Sequence, residues 1–150
     1  LPGSEERFSV ISPEQTHFPQ FEDSSFDVIL SNQVIYFLPN FEAIRSTFTE
    51  FFRLLKPGGK LVLTTMAENN CYFTDYADTG GPAPKSGMIP IRVKGRIERQ
   101  FSIYRFENDE ALKALVNSSG LIVDHLGYFD FGLMDTSCAK HYIVLAQKPL

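Results

Sequence analysis

Between two polar stretches, Asp23-Ser24-Ser25 and Asn32, the residues Phe26 to Ser31 (FDVILS) are almost continuously apolar. A strand that is apolar on both faces belongs in a buried, parallel sheet. Parallel neighbours need a crossover between them, and the next residues supply one. From Phe41 the apolar side chains fall at 41, 44, 48, 51, 52 and 55, a helical stripe with Glu42, Arg45, Glu50 and Arg53 on the other faces and Asn40 as N-cap. Lys56-Pro57-Gly58-Gly59 ends that helix, because proline disfavours a helical residue before it and the glycines admit positive φ. Lys60 to Met66 (KLVLTTM) is the next strand, so the spacing predicts a right-handed βαβ unit within an α/β fold.

The flanking sequence extends the same architecture. Arg7 to Ser12 (RFSVIS) is a short β-prone run closed by Pro13. Ala67 to Met88 has little periodicity and contains Gly80-Gly81-Pro82-Ala83-Pro84, which predicts a long surface loop. Ile89 to Phe106 alternates around Gly95 as a β-hairpin does, and Glu107 to Ser119 is a second helix with Leu112, Leu115 and Val116 on one face and Gly120 at its stop. Leu121 to Phe131 and His141 to Gln147 are closing strands, joined by a link short enough to favour antiparallel pairing. A chain of 150 residues is the size of one domain, so residues 1–150 are taken as one, with 67–106 as a loop-and-hairpin insertion.

Composition narrows the function classes. With 43% apolar residues and no apolar run near the ~20 that a bilayer requires, neither a disordered chain nor a membrane-spanning helix is expected. A net charge of -4 sets the overall field against nucleic acid and anionic lipid, so neither is an expected partner. Cys71 and Cys138 stand apart without metal-ligand or disulfide spacing, and His17, His125 and His141 are scattered. No metal is therefore expected, and a reducing, cytoplasmic setting is. Charge is uneven: Lys85, Arg92, Lys94, Arg96, Arg99 and Arg105 face one acid, Glu98, in their stretch. That pattern suits either a solvated hairpin face or an acidic acceptor, and the solvated face is the more ordinary explanation.

Phe26-Asp27-Val28-Ile29, then Ser31-Asn32-Gln33-Val34-Ile35-Tyr36-Phe37-Leu38, then Arg53-Leu54-Leu55-Lys56-Pro57-Gly58-Gly59 stand in the order of three motifs. This arrangement resembles the central part of class I S-adenosylmethionine-dependent methyltransferases of the small-molecule type. The resemblance implies a Rossmann-like sheet of strand order 3-2-1-4-5-7-6 with an antiparallel last strand. It implies S-adenosylmethionine as cofactor, with Ser31, Asn32, Gln33 and Val34 beside its methionine part. It places an adenine-binding acid or amide near Glu14 and Gln15, and an acceptor pocket at Tyr36, Phe37, Tyr72 and Tyr76. In open α/β sheets, ligands do lie beyond the carboxyl ends of the strands, where Ser31 to Val34 falls. No catalytic base stands out among His17, His125, His141, Asp75 and Tyr72.

One departure sets the limits of the resemblance. Nothing before Glu14 carries the family's glycine-rich loop or the ribose-binding acid that follows it. Two βα units of ~30 residues each would hold them, so the chain is expected to be the carboxyl-terminal part of such a domain, truncated on its N-terminal side, and inactive alone. The whole protein is expected to methylate a small molecule. A non-catalytic interaction module of the same fold is the alternative, and a nicotinamide-dependent oxidoreductase is a third reading that these motifs do not favour. With its neighbour missing, the strand Phe26 to Ser31 would present an open edge through which the chain could self-associate.

Overall fold

The computed structural model describes residues 12, 15–94, 98–130 and 139–150. The strand expected over Arg7 to Ser12 lies outside these residues except for Ser12, which is in no strand. Strand β1 (Phe26–Asn32) leads through a 3-10 turn (Ile35–Phe37) into helix α1 (Phe41–Leu54) and strand β2 (Leu55–Met66). A short helix α2 (Cys71–Thr74) precedes the hairpin β3 (Gly87–Val93) and β4 (Arg99–Arg105), and helix α3 (Asp109–Ser118) leads to β5 (Ile122–Asp130) and β6 (Lys140–Gln147). The main sheet has the order β1-β2-β6-β5, with β1 parallel to β2 and both contacts of β6 antiparallel. These strands correspond to four, five, seven and six of the implied order.

Helix α1 begins where the sequence predicts, whereas α3 begins at Asp109 rather than at Glu107. Asn40 and Asn108 cap α1 and α3, their side-chain oxygens accepting from the N–H groups of Ala43 at 2.9 Å and Ala111 at 2.8 Å. Ile44 and Phe48 of α1 and Leu112, Leu115 and Val116 of α3 are buried in one core with Leu61 and Leu63 of β2 and Tyr142, Val144 and Ala146 of β6. The alternation of these strand positions places the core on one face of the sheet.

Three expectations are corrected. The run in β1 is not buried on both faces: Ile29 packs on the core, but Val28 and Leu30 are 57% and 68% exposed. Among the described residues β1 is the edge strand and no element covers its second face. Next, Lys56 to Gly59 does not separate helix from strand. Leu55 already pairs with Phe26, and the register resumes at Lys60 opposite Val28, so residues 56–59 form a bulge over Asp27. Lys56 reaches across that bulge to the Asp27 carboxylate at 2.8 Å. Finally, the stretch 67–88 is not all loop: Asn70 caps α2 by accepting from the Tyr72 N–H at 3.1 Å, and Ala77 bridges Ile91 on the hairpin.

The bulge depends on the absence of a side chain at Gly59. A Cβ there would lie 2.8 Å from the Lys56 carbonyl oxygen and 3.2 Å from that of Asp27. Gly59→Ala should therefore destabilise the protein by ~2 kcal/mol in a urea melt, because main chain must shift to admit the methyl group. Gly81→Ala, where nothing lies within 4 Å, should change it little. Equal midpoints for the two variants would contradict the close approach at the bulge.

Candidate functional site

At the carboxyl end of β1 the chain turns sharply and is held from the neighbouring strand. Gln33 adopts a positive φ of 56°, a conformation that non-glycine residues adopt infrequently. Its N–H donates to the Thr64 carbonyl at 3.1 Å and approaches the Thr64 hydroxyl at 3.2 Å, while that hydroxyl donates to the Asn32 side-chain oxygen at 2.6 Å. Thr64 thus fixes both Asn32 and Gln33, a role that a threonine in an apolar strand does not announce in sequence. The turn also leaves polar atoms unsatisfied. Ser31 is 3% exposed, and its hydroxyl and both side-chain polar atoms of Gln33 are buried without a hydrogen-bond partner among the described residues. Such groups are costly unless something else completes them.

A cleft of about 440 Å³ opens beside this turn. Ser31, Val34 and Gln15 line it, with Phe18, Leu30 and Phe51 supplying apolar walls. The structure therefore brings together three of the residues expected at the cofactor. Asn32 and Gln33 sit at its rim in sequence but do not line it, and Glu14 lies outside the described residues. Phe18 and Leu30 were not anticipated as lining residues. A mainly apolar cleft with few polar groups at one end suits an amphipathic small molecule.

Across the turn, the four residues expected at the acceptor form one aromatic cluster. Ring centroids are 4.5 Å apart for Tyr36 and Phe37, 5.7 Å for Tyr72 and Tyr76, and 6.0 and 6.2 Å from Phe101 to Phe37 and Tyr72. Phe101, on β4, links the two pairs; only its place in the alternating hairpin hinted at it. Tyr36 is buried while Phe37 is 54% exposed, so the cluster has a solvent-facing side. Burial, and next the nearby Tyr72, push the Tyr36 hydroxyl up to about 12. It stays protonated near neutral pH and can donate a hydrogen bond but not act as a base.

The other titratable candidates are engaged elsewhere. The His17 ring meets Glu50 at 2.8 Å, His125 is exposed on β5, and His141 is buried with its ring toward the Ala139 carbonyl. Burial holds the His141 pKa below its ordinary value, which keeps the ring neutral. Asp75 accepts from the hydroxyl of its neighbour Thr74 at 2.7 Å. On the basic hairpin, Arg92 pairs with Asp78 at 3.0 Å and Arg105 donates to the Pro84 carbonyl at 2.9 Å. Arg96 lies outside the described residues, whereas Lys85, Lys94 and Arg99 are exposed.

Fold and candidate site together define an α/β domain with a cleft at the carboxyl end of a parallel strand, where open α/β sheets place their ligands. Residues 4–63 match the family described as a methyltransferase domain. Phosphoethanolamine N-methyltransferase 2 of Caenorhabditis elegans is 42% identical over 95 residues, covering 53% of this chain and 21% of that protein. A sterol 4-C-methyltransferase of the same organism is 32% identical over 73 residues, covering 49% and 21%. A solved methyltransferase from Methanosarcina mazei shares the fold with a TM-score of 0.69 at 23% identity, over 91% of this chain and 66% of that one. The chain is thus similar to methyltransferase domains over residues 4–63 and shares the fold of a solved methyltransferase, and it spans about a fifth of the length of the two curated relatives.

Proposed function

We propose that the protein of which this chain is part transfers a methyl group from S-adenosylmethionine to a small-molecule acceptor in the cytoplasm. The observation that carries the reading is the turn Ser31 to Val34, with buried polar atoms lacking partners, set between an apolar cleft and an aromatic cluster. Ser31, Val34 and Gln15, which line the cleft, fit one side of such a cofactor: Ser31 and Val34 would hold its methionine part, with Asn32 and Gln33 shaping the turn, and Gln15, with Glu14, would hold its adenine. Bound there, the cofactor would supply an activated methyl group on a positively charged sulfur. Tyr36, Phe37, Tyr72, Tyr76 and Phe101 would exclude water and hold the acceptor in line, so that orientation supplies much of the rate. The Tyr36 hydroxyl would orient the acceptor as a donor; no side chain is assigned as base. The names of the two curated relatives, a phosphoethanolamine and a sterol methyltransferase, support a small-molecule acceptor. The sequence spacing of Cys71 and Cys138, which matches neither a zinc site nor a disulfide framework, supports the reducing setting.

The unsatisfied hydroxyl gives a test that separates binding from stability. Ser31→Ala in the intact protein should leave the melting temperature unchanged or higher, since a buried unpaired group is removed. The same change should weaken S-adenosylmethionine binding about five- to tenfold in calorimetry, the worth of one hydrogen bond. Val34→Trp, at an exposed position beside the cleft, should abolish binding by obstruction. Unchanged affinity in both variants would reject this site.

A further inference from the structure

Residues 15–24 form no helix or strand of their own, yet Gln15 and Phe18 of this segment line the cleft. Two side chains of α1 grip it. Glu50, 5% exposed, accepts from the Phe18 N–H at 2.8 Å through Oε1 and meets the His17 ring at 2.8 Å through Oε2. Arg53 donates to the carbonyls of Phe18 and Phe21, both at 3.1 Å, and pairs with Asp23 at 2.5 Å. The two residues also lock each other, Arg53 reaching Glu50 at 2.6 Å and 2.9 Å from two nitrogens. Neither lines the cleft.

We propose that Glu50 and Arg53 are positioning residues for the cofactor cleft, acting through the strap of residues 17–23 so that Gln15 and Phe18 stay against it. An irregular strap loses backbone freedom when ordered and has no ladder to satisfy its main-chain groups. The carboxylate and the guanidinium fork supply those partners at three separate points, which apolar side chains of the same volume could not. Arginine is needed because its fixed fork serves two carbonyls and two carboxylates at once, whereas lysine offers one compact charge. The role of the cleft itself rests on the methyltransferase reading above.

The double variant Glu50→Gln/Arg53→Gln removes both charges together and so leaves neither alone in the interior. In the intact protein, deuterium exchange should quicken in residues 17–23 and stay unchanged in 61–66 of β2. The dissociation constant for S-adenosylhomocysteine should rise about tenfold, the scale of losing the order that one net hydrogen bond provides. If this variant does not fold, Arg53→Lys, which keeps the charge and loses the fork, gives the same two readings. Unchanged strap exchange, or faster exchange with unchanged affinity, overturns the proposal alone. A parent protein that binds no S-adenosylhomocysteine overturns the cofactor reading and this proposal with it.

Discussion

Phe48→Ala should lower the unfolding free energy by ~3–5 kcal/mol, the range for truncating a fully enclosed aromatic side chain. Phe48 is 0% exposed and meets Phe51 edge to face, with ring centroids 6.0 Å apart and an interplanar angle of 89°. It belongs to the core where α1, α3, β2 and β6 converge, so no single element can move to fill the space. Interiors packed to this density relax only partly around a lost ring, and the remaining cavity adds to the lost transfer energy. Phe41, on the same helix, is 42% exposed, and Phe41→Ala should shift the urea midpoint much less. Comparable losses from the two variants would mean that the inward face of α1 is not the one described.

The stripe that identifies α1 was legible because apolar spacing and a capping asparagine are local signals, and both survive in the structure at Asn40, Ile44, Phe48 and Phe51. The same reasoning failed for Glu50 and Arg53. Periodicity assigns charged residues to solvent, whereas Glu50 is buried by partners more than thirty positions away in sequence, at His17 and Phe18. Val28 and Leu30 failed in the opposite sense, since their composition predicts two covered faces and one stands open among the described residues. At the candidate site, Ser31 and Val34 of the motif line the cleft, and Tyr36, Phe37, Tyr72 and Tyr76 gather as one cluster. Thr64 and Phe101, which support them, were missed. Thr64 acts across the pairing of β1 with β2, which depends on register, and Phe101 reaches Phe37 and Tyr72 in two other elements, which depends on how the hairpin packs rather than on sequence proximity.

Acid should unfold the protein in a window set largely by Glu50. Hydrogen bonds from Arg53, then that from the Phe18 N–H and the contact with His17, outweigh burial and hold its pKa down to about 2, against an ordinary value of 4.5. A carboxylate whose folded pKa is depressed stabilises the fold above its unfolded pKa and loses that contribution as pH falls through the folded one. The contribution should therefore be complete above about pH 5, decline below pH 4.5 and be nearly gone at pH 2, amounting to ~3 kcal/mol over the window. Other carboxylates titrate in the same range, so the informative quantity is a difference between variants. Glu50→Gln keeps the shape of the side chain and an acceptor for Phe18 but cannot titrate; it should be less stable than the parent at pH 7 and approach it in stability near pH 2. Adding salt should narrow that gap little, because the pair is shielded from solvent at its glutamate end, where the side chain is only 6% exposed. Parallel curves of stability against pH for the two proteins would show that the carboxylate of Glu50 carries no such load.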